Sequence, residues 1–212
     1  MNILILGPER KVSGLTKYLE ERGDTTLRTE APVSVEYLTE NRFDYLISHG
    51  YAPIIRPSVI SAFRRRIINI HPAYLPTGRG IYPNFWCFFE GRTVGVSIHF
   101  IDEGIDTGEI IARRIIHLDD QETLRTSHAK LDRAVEEMFF ETWPSIVDGS
   151  FEAIDQNSLQ TGSYRNRAES ERLIELLDAG WDTPSKQVEQ MGAELLLSEL
   201  FWECYETEIA DC

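Results

Sequence analysis

The chain is short of cysteine, short of basic residues and without a long apolar run, and each shortage removes a class of protein. Its three cysteines, Cys87, Cys204 and Cys212, have no metal-type spacing and cannot all pair, so a disulfide framework is not expected. Lys and Arg number 21 against 35 Asp and Glu, a formal net charge of -14. Nucleic acid is bound by neutralising phosphates with a basic surface, so neither transfer RNA nor any other nucleic acid is the expected partner. After Lys186 there is no basic residue at all, and the acidic stretch from Glu189 to Asp211 reads as a solvated helix face. The first apolar run, Ile3 to Leu6, is four residues long and is broken by Gly7-Pro8, too short for a secretory signal or a membrane span. The expectation is a soluble, cytoplasmic protein with no membrane partner. There is also no Gly-x-Ser-x-Gly elbow, which argues against a covalent acyl-enzyme.

What is present is enough apolar residue, 42%, for a sizeable core. Ile3 to Leu6 reads as a buried strand and Ser13 to Arg22 as the helix after it. A helix at 35–40, a strand at 45–48, a helix at 57–65 and a strand at 67–70 continue the alternation that builds a parallel sheet with helices on both faces. Pro83 opens a short helix to Phe89, and strands follow at 94–101 and 109–118. The loop between these two is too short for a helical crossover, so the sheet is expected to turn mixed there. A long helix from Glu122 to Val147, interrupted at Pro144, would cover the sheet. Phe151 to Ile154 reads as a short edge strand. The polar run from Asn157 to Ser163 marks the exit from a compact domain of residues 1–156. Residues 157–212 then form an acidic, mainly helical extension. Its helix near 169–177 and its apolar Leu195, Leu196, Leu200, Phe201 and Trp202 need cover from the main domain or from a partner subunit, as in a homodimer.

The residues that can do chemistry lie between Asn69 and Gly108. Asn69 and His71, two apart on a strand, point the same way, and Pro72 ends the ladder at the strand end that open α/β sheets use for catalysis. His71 can carry a proton, Asn69 can donate to a developing oxyanion, and Asp106 can orient the imidazole or raise its pKa. Such a set suits acyl or formyl transfer to an amine. His99 is read equally as structural support beside this triad or as a second layer of it.

The motifs Asn69-Ile70-His71-Pro72-Ala73-Tyr74-Leu75-Pro76, Gly95-Val96-Ser97-Ile98-His99 and Asp102-Glu103-Gly104-Ile105-Asp106-Thr107-Gly108 together resemble the folate-dependent formyltransferase family. The resemblance covers roughly residues 1–156. It implies a Rossmann-like formyltransferase fold, Asn69, His71 and Asp106 as catalytic triad, N10-formyltetrahydrofolate as formyl donor, and no metal. It further implies that the pterin lies against Tyr51, Ala52, Ile54 and Ile55 and against the loop Asp102, Glu103, Gly104, Ile105. In this picture protonated His71 and Asn69 hold the oxyanion while Asp106 helps the proton to the departing folate nitrogen.

Among the family's branches, the transfer-RNA enzymes carry a further C-terminal β domain that this length is not expected to supply. The glycinamide ribonucleotide branch has a Gly-Ser-rich phosphate loop where this chain has Gly7-Pro8-Glu9-Arg10-Lys11. Pro8 removes a donor there and Glu9 would repel phosphate. The segment from Tyr74 to Trp86 instead resembles the sugar nucleotide N-formyltransferases, which makes Arg79 a candidate for diphosphate and Gly80, Tyr82 and Trp86 candidates for the acceptor. For Tyr82 and Trp86, ordinary packing at helical spacing is the competing reading. Phosphoribosylglycinamide formyltransferase remains the alternative. A formyltetrahydrofolate hydrolase, which would usually bring an N-terminal regulatory domain ahead of the first strand, and a non-catalytic folate-binding protein are more distant ones.

Overall fold

Buried residues on the first strand, β1 (Asn2–Leu6), divide between two cores: Ile3 and Ile5 enter one apolar cluster, Leu4 and Leu6 another. A strand buried on both faces requires cover on both sides. The computed structural model, which describes residues 1–159 and 162–196, shows that arrangement. Six strands run in the order β2 (Thr25–Thr29), β1, β3 (Tyr45–Ser48), β4 (Ile67–His71), β6 (Gly95–Phe100) and β7 (Ile110–Ile115). A separate parallel pair joins β5 (Arg79–Gly80) to β8 (Tyr164–Arg165). On one face α1 (Glu9–Glu21) and α5 (Leu124–Asp148) cover Ile3, Ile47, Ile68, Ile70, Val96 and Ile98. On the other, α2 (Val35–Glu40) and α3 (Pro57–Ala62) cover Leu4, Leu6, Leu46 and Ile67. This is the expected Rossmann-like sheet with helices on both faces.

Four departures from the sequence expectation have physical causes. The β2 strand went unread because it is an edge strand with no buried face, Leu27 included, and so shows no alternation. The sheet also turns mixed one strand early, since β6 is already antiparallel to β4 and β7 antiparallel to β6. The intervening helix α4 (Pro83–Phe89) does not cross over the sheet. Its Phe85, Trp86, Phe88 and Phe89 pack instead with Leu173 of α6 (Arg167–Ile174) and Val188 of α7 (Ser185–Leu196). The strand expected over 151–154 is reduced to a single bridge from Ile154 to Ile110.

That third cluster answers part of the question of cover. Leu195 packs against it, while Leu200, Phe201 and Trp202 lie outside the described residues. Among the described residues no helix is long and apolar enough to cross a membrane.

The fourth departure is that α5 runs unbroken through Pro144. A proline here has no N–H for the carbonyl four residues back, Phe140. The Tyr18 hydroxyl of α1 donates to that carbonyl at 2.8 Å, and its ring stacks on Phe140 at 4.5 Å between centroids. The orphaned acceptor is therefore satisfied by the helix packed beside it. Tyr18→Phe is expected to destabilise the protein by about 1–2 kcal/mol. In a Pro144→Ala background, where the restored N–H can reach Phe140, the same change should cost less; urea midpoints of the four proteins measure the difference, and equal costs in both backgrounds would refute the pairing.

Candidate active site

The parallel register sets Ser48 beside Asn69, and the antiparallel register sets His99 beside Asn69 and Ser97 beside His71. Asn69 and His71 therefore leave β4 on the face opposite Ile68 and Ile70, as alternation expects. Asp106 arrives from the loop before β7. Its backbone is left-handed, at φ 53°, which is rare for a residue with a side chain. Gly108 lets this loop close on the strand, because a Cβ there would sit 1.9 Å from the Phe100 carbonyl.

These three elements bring the predicted triad together. Asn69 Nδ2 donates to Asp106 Oδ1 at 3.3 Å and lies 3.1 Å from His99 Nε2. The Gly80 N–H donates to Asp106 Oδ2 at 2.9 Å. Asp106 also lies 3.4 Å from His99 Nε2 and 3.9 Å from His71 Nε2. Gly80 needs to be glycine: its φ is 94° and a Cβ would meet the Arg165 carbonyl at 2.2 Å.

The protonation states follow from these partners. His71 Nε2 lies 2.9 Å from the Gly78 carbonyl and His99 Nδ1 2.8 Å from the Phe100 carbonyl. Carbonyls only accept, so each of those nitrogens carries the hydrogen in the neutral ring. Burial lowers the His71 pKa despite the pull of Asp106 in the other direction, which makes the resting imidazole neutral. For Asp106, burial works to raise the pKa, but the His71 and His99 rings and the Gly80 N–H outweigh it and hold the carboxyl well below the usual range.

The triad opens onto a cleft of about 820 Å³. Tyr51, Ala52, Ile54, Ile55, Asp102, Glu103, Gly104 and Ile105 all line it, as do Gly80 and Tyr82. Two of the proposed acceptor residues do not. Trp86 is 1% exposed, donates to Ser170 Oγ at 2.8 Å and carries the Arg165 guanidinium 4.6 Å above its ring. It is core, because its turn of α4 faces α6. Arg79 is likewise turned away, with Nε and Nη2 on Gln156 Oε1 at 3.2 and 2.7 Å.

Other groups occupy that side of the cleft. Arg10, Lys11, His128, Arg125, Arg167, Tyr164 and Trp181 line it, with Trp181 edge-on to Tyr82 at 5.6 Å and 6.0 Å from His128. The turn carrying Trp181 is tied down by Arg125, which bonds Asp182 at 2.7 Å. The only sequence signal for Trp181 was a large aromatic directly after a turn glycine, Gly180. Nor does Glu9 face phosphate: Arg28 Nε holds its carboxylate at 2.9 Å, and α1 begins at Glu9, which presents Arg10 and Lys11 to the cleft.

A formyl transferase family model matches residues 11–142, well over half of the chain. The chain belongs to the formyl transferase family. Within that family it is similar to the formyltransferase PseJ from Anoxybacillus kamchatkensis, whose structure was solved in complex with UDP-4,6-dideoxy-4-formamido-L-AltNAc and tetrahydrofolate. The two share 39% identity at a TM-score of 0.82, covering 89% of this chain and 97% of that one. A 4-N formyltransferase from Francisella tularensis, 18% identical with a TM-score of 0.72 over 89% of this chain and 85% of its own length, shares the fold. Phosphoribosylglycinamide formyltransferase of Bacillus subtilis is 32% identical over 114 residues, 53% of this chain; the match spans only 56% of that relative's length.

Behind the site His49 is 2% exposed, bonded through Nδ1 to the Ile70 carbonyl at 3.0 Å. Burial, reinforced by the Lys11 charge, lowers its pKa to about 4. The unfolded chain takes up this proton below about pH 6.5 and the folded one does not. Stability should therefore fall as pH drops from about 6.5 toward 4. Urea midpoints of His49→Gln are expected to decline less steeply through that window than those of the parent; parallel declines would show that His49 is not buried in its neutral form.

Proposed function

We propose that this protein transfers a formyl group from N10-formyltetrahydrofolate to the primary amine of a nucleoside-diphosphate amino sugar, with Asn69, His71 and Asp106 as the catalytic residues. The observation that carries the acceptor assignment is the wall of the cleft beyond the triad. Arg10 lines it together with Lys11, Arg125 and Arg167, which are paired with Asp132, Asp182 and Glu171 and would share those bonds with a diphosphate, and Trp181 supplies a flat face for a base. The similarity to PseJ over nearly its whole length supports the same reading.

The chemistry needs no covalent enzyme intermediate. The amine nitrogen attacks the formyl carbon, and charge collects on the formyl oxygen, where the Asn69 amide can donate once it exchanges one of its bonds within the triad. The neutral His71 ring keeps a lone pair on Nδ1 and takes the proton that the amine loses. The Asp106 carboxylate 3.9 Å away favours the imidazolium so formed. As the carbon–nitrogen bond to the folate breaks, that proton passes to the departing nitrogen, leaving formamide and tetrahydrofolate with the residues restored.

Release of tetrahydrofolate with a panel of acceptors tests this. Stimulation by nucleoside-diphosphate amino sugars and not by glycinamide ribonucleotide is expected; the reverse would place the chain with the purine enzymes. Asn69→Ala should lower kcat by about 10²–10³. Trp181→Ala should instead raise the acceptor KM about tenfold, from a stacking loss of about 1–3 kcal/mol per base, with the folate KM unchanged. An unchanged acceptor KM would remove Trp181 from the acceptor site.

A further inference from the structure

We infer that Gln156 is a positioning residue for the Asp106 carboxylate. The side chain is 3% exposed. Its Nε2 donates to the backbone carbonyls of Asp106 at 2.9 Å and Gly108 at 2.7 Å, and its Oε1 accepts from the Arg79 guanidinium. Two carbonyls can only accept and a guanidinium can only donate, so the partners leave the amide one orientation. All of its hydrogen-bonding capacity on the nitrogen goes to the two ends of the turn that carries Asp106.

That turn holds a non-glycine residue at φ 53°, a conformation that persists only where its surroundings fix it. Arg79, at the other end of the amide, is the residue before Gly80, whose N–H holds Asp106 Oδ2. The backbone of Asp106 and a donor to its carboxylate are therefore fixed through one side chain. With Gln156 gone, the turn can relax toward negative φ and swing the carboxylate away from Asn69 and His71.

The inference rests on the reading of Asp106 as a catalytic group, and the test separates the two. Gln156→Glu keeps the shape and the Arg79 partner but sets an oxygen against the two carbonyls. Gln156→Met removes the donors without adding charge and carries the same test if the glutamate variant does not fold. Each should lower kcat by about 10- to 100-fold, the scale of a misplacement of about 1 Å, with the folate KM within about threefold of the parent. The loss should vanish in an Asp106→Asn background, since a residue that acts only through Asp106 has nothing further to remove. A parent-like kcat in both Gln156 variants, or losses that multiply with Asp106→Asn, would overturn the inference. Full activity in Asp106→Asn alone would instead remove the catalytic reading of Asp106.

Discussion

Asp106 keeps a negative charge where water scarcely reaches, its side chain 14% exposed, and the rest of the site is arranged around that requirement. A buried carboxylate is tolerable only when donors surround it. Here they are the Asn69 amide at the end of β4 and the Gly80 N–H in the loop after it, with the His99 and His71 rings 3.4 and 3.9 Å from the carboxylate. Asn69, which stabilises the charge, is thus also one of the groups proposed for catalysis, which couples the local stability of the site to its geometry.

The sheet makes this convergence possible through its reversal at β6. An antiparallel β6 sets His99 directly beside Asn69, and its short return into β7 delivers Asp106 to the same strand ends. The segment beyond residue 156 completes the structure. Ser163 Oγ accepts from the Gly78 N–H, whose own carbonyl meets His71, and β8 pairs with β5 beside Gly80. Contacts of this kind tie Ser163, Tyr164 and Arg165 to the surroundings of His71 and Asp106, so residues past the expected boundary at 156 support the site.

Much of this was legible in the sequence, for reasons that differ by residue. Alternation on a strand placed Asn69 and His71 on one side, and the Asp-Thr-Gly turn marked Asp106, because both are local geometry. Side-chain direction after a helix turn is not local. Trp86 and Tyr82 share a helical spacing, yet packing against Ser170 takes Trp86 into the core while Tyr82 stays at the cleft. Arg79 looked free to bind a diphosphate because its partner, Gln156, is 77 residues away. Gln156 itself carries no signal in a polar run, since its importance lies in which carbonyls the fold sets before it.

The ionisation of Asp106 is the most direct measurement of this account. In protein labelled with 13C at the aspartate carboxyl carbons, with the Asp106 resonance assigned by its loss in Asp106→Asn, that resonance should keep its ionised shift from about pH 7 down to about pH 4.5, well above where a carboxyl so held would titrate. A resonance that titrates within that range would contradict the account, because the donors around Asp106 would then not be holding a charge.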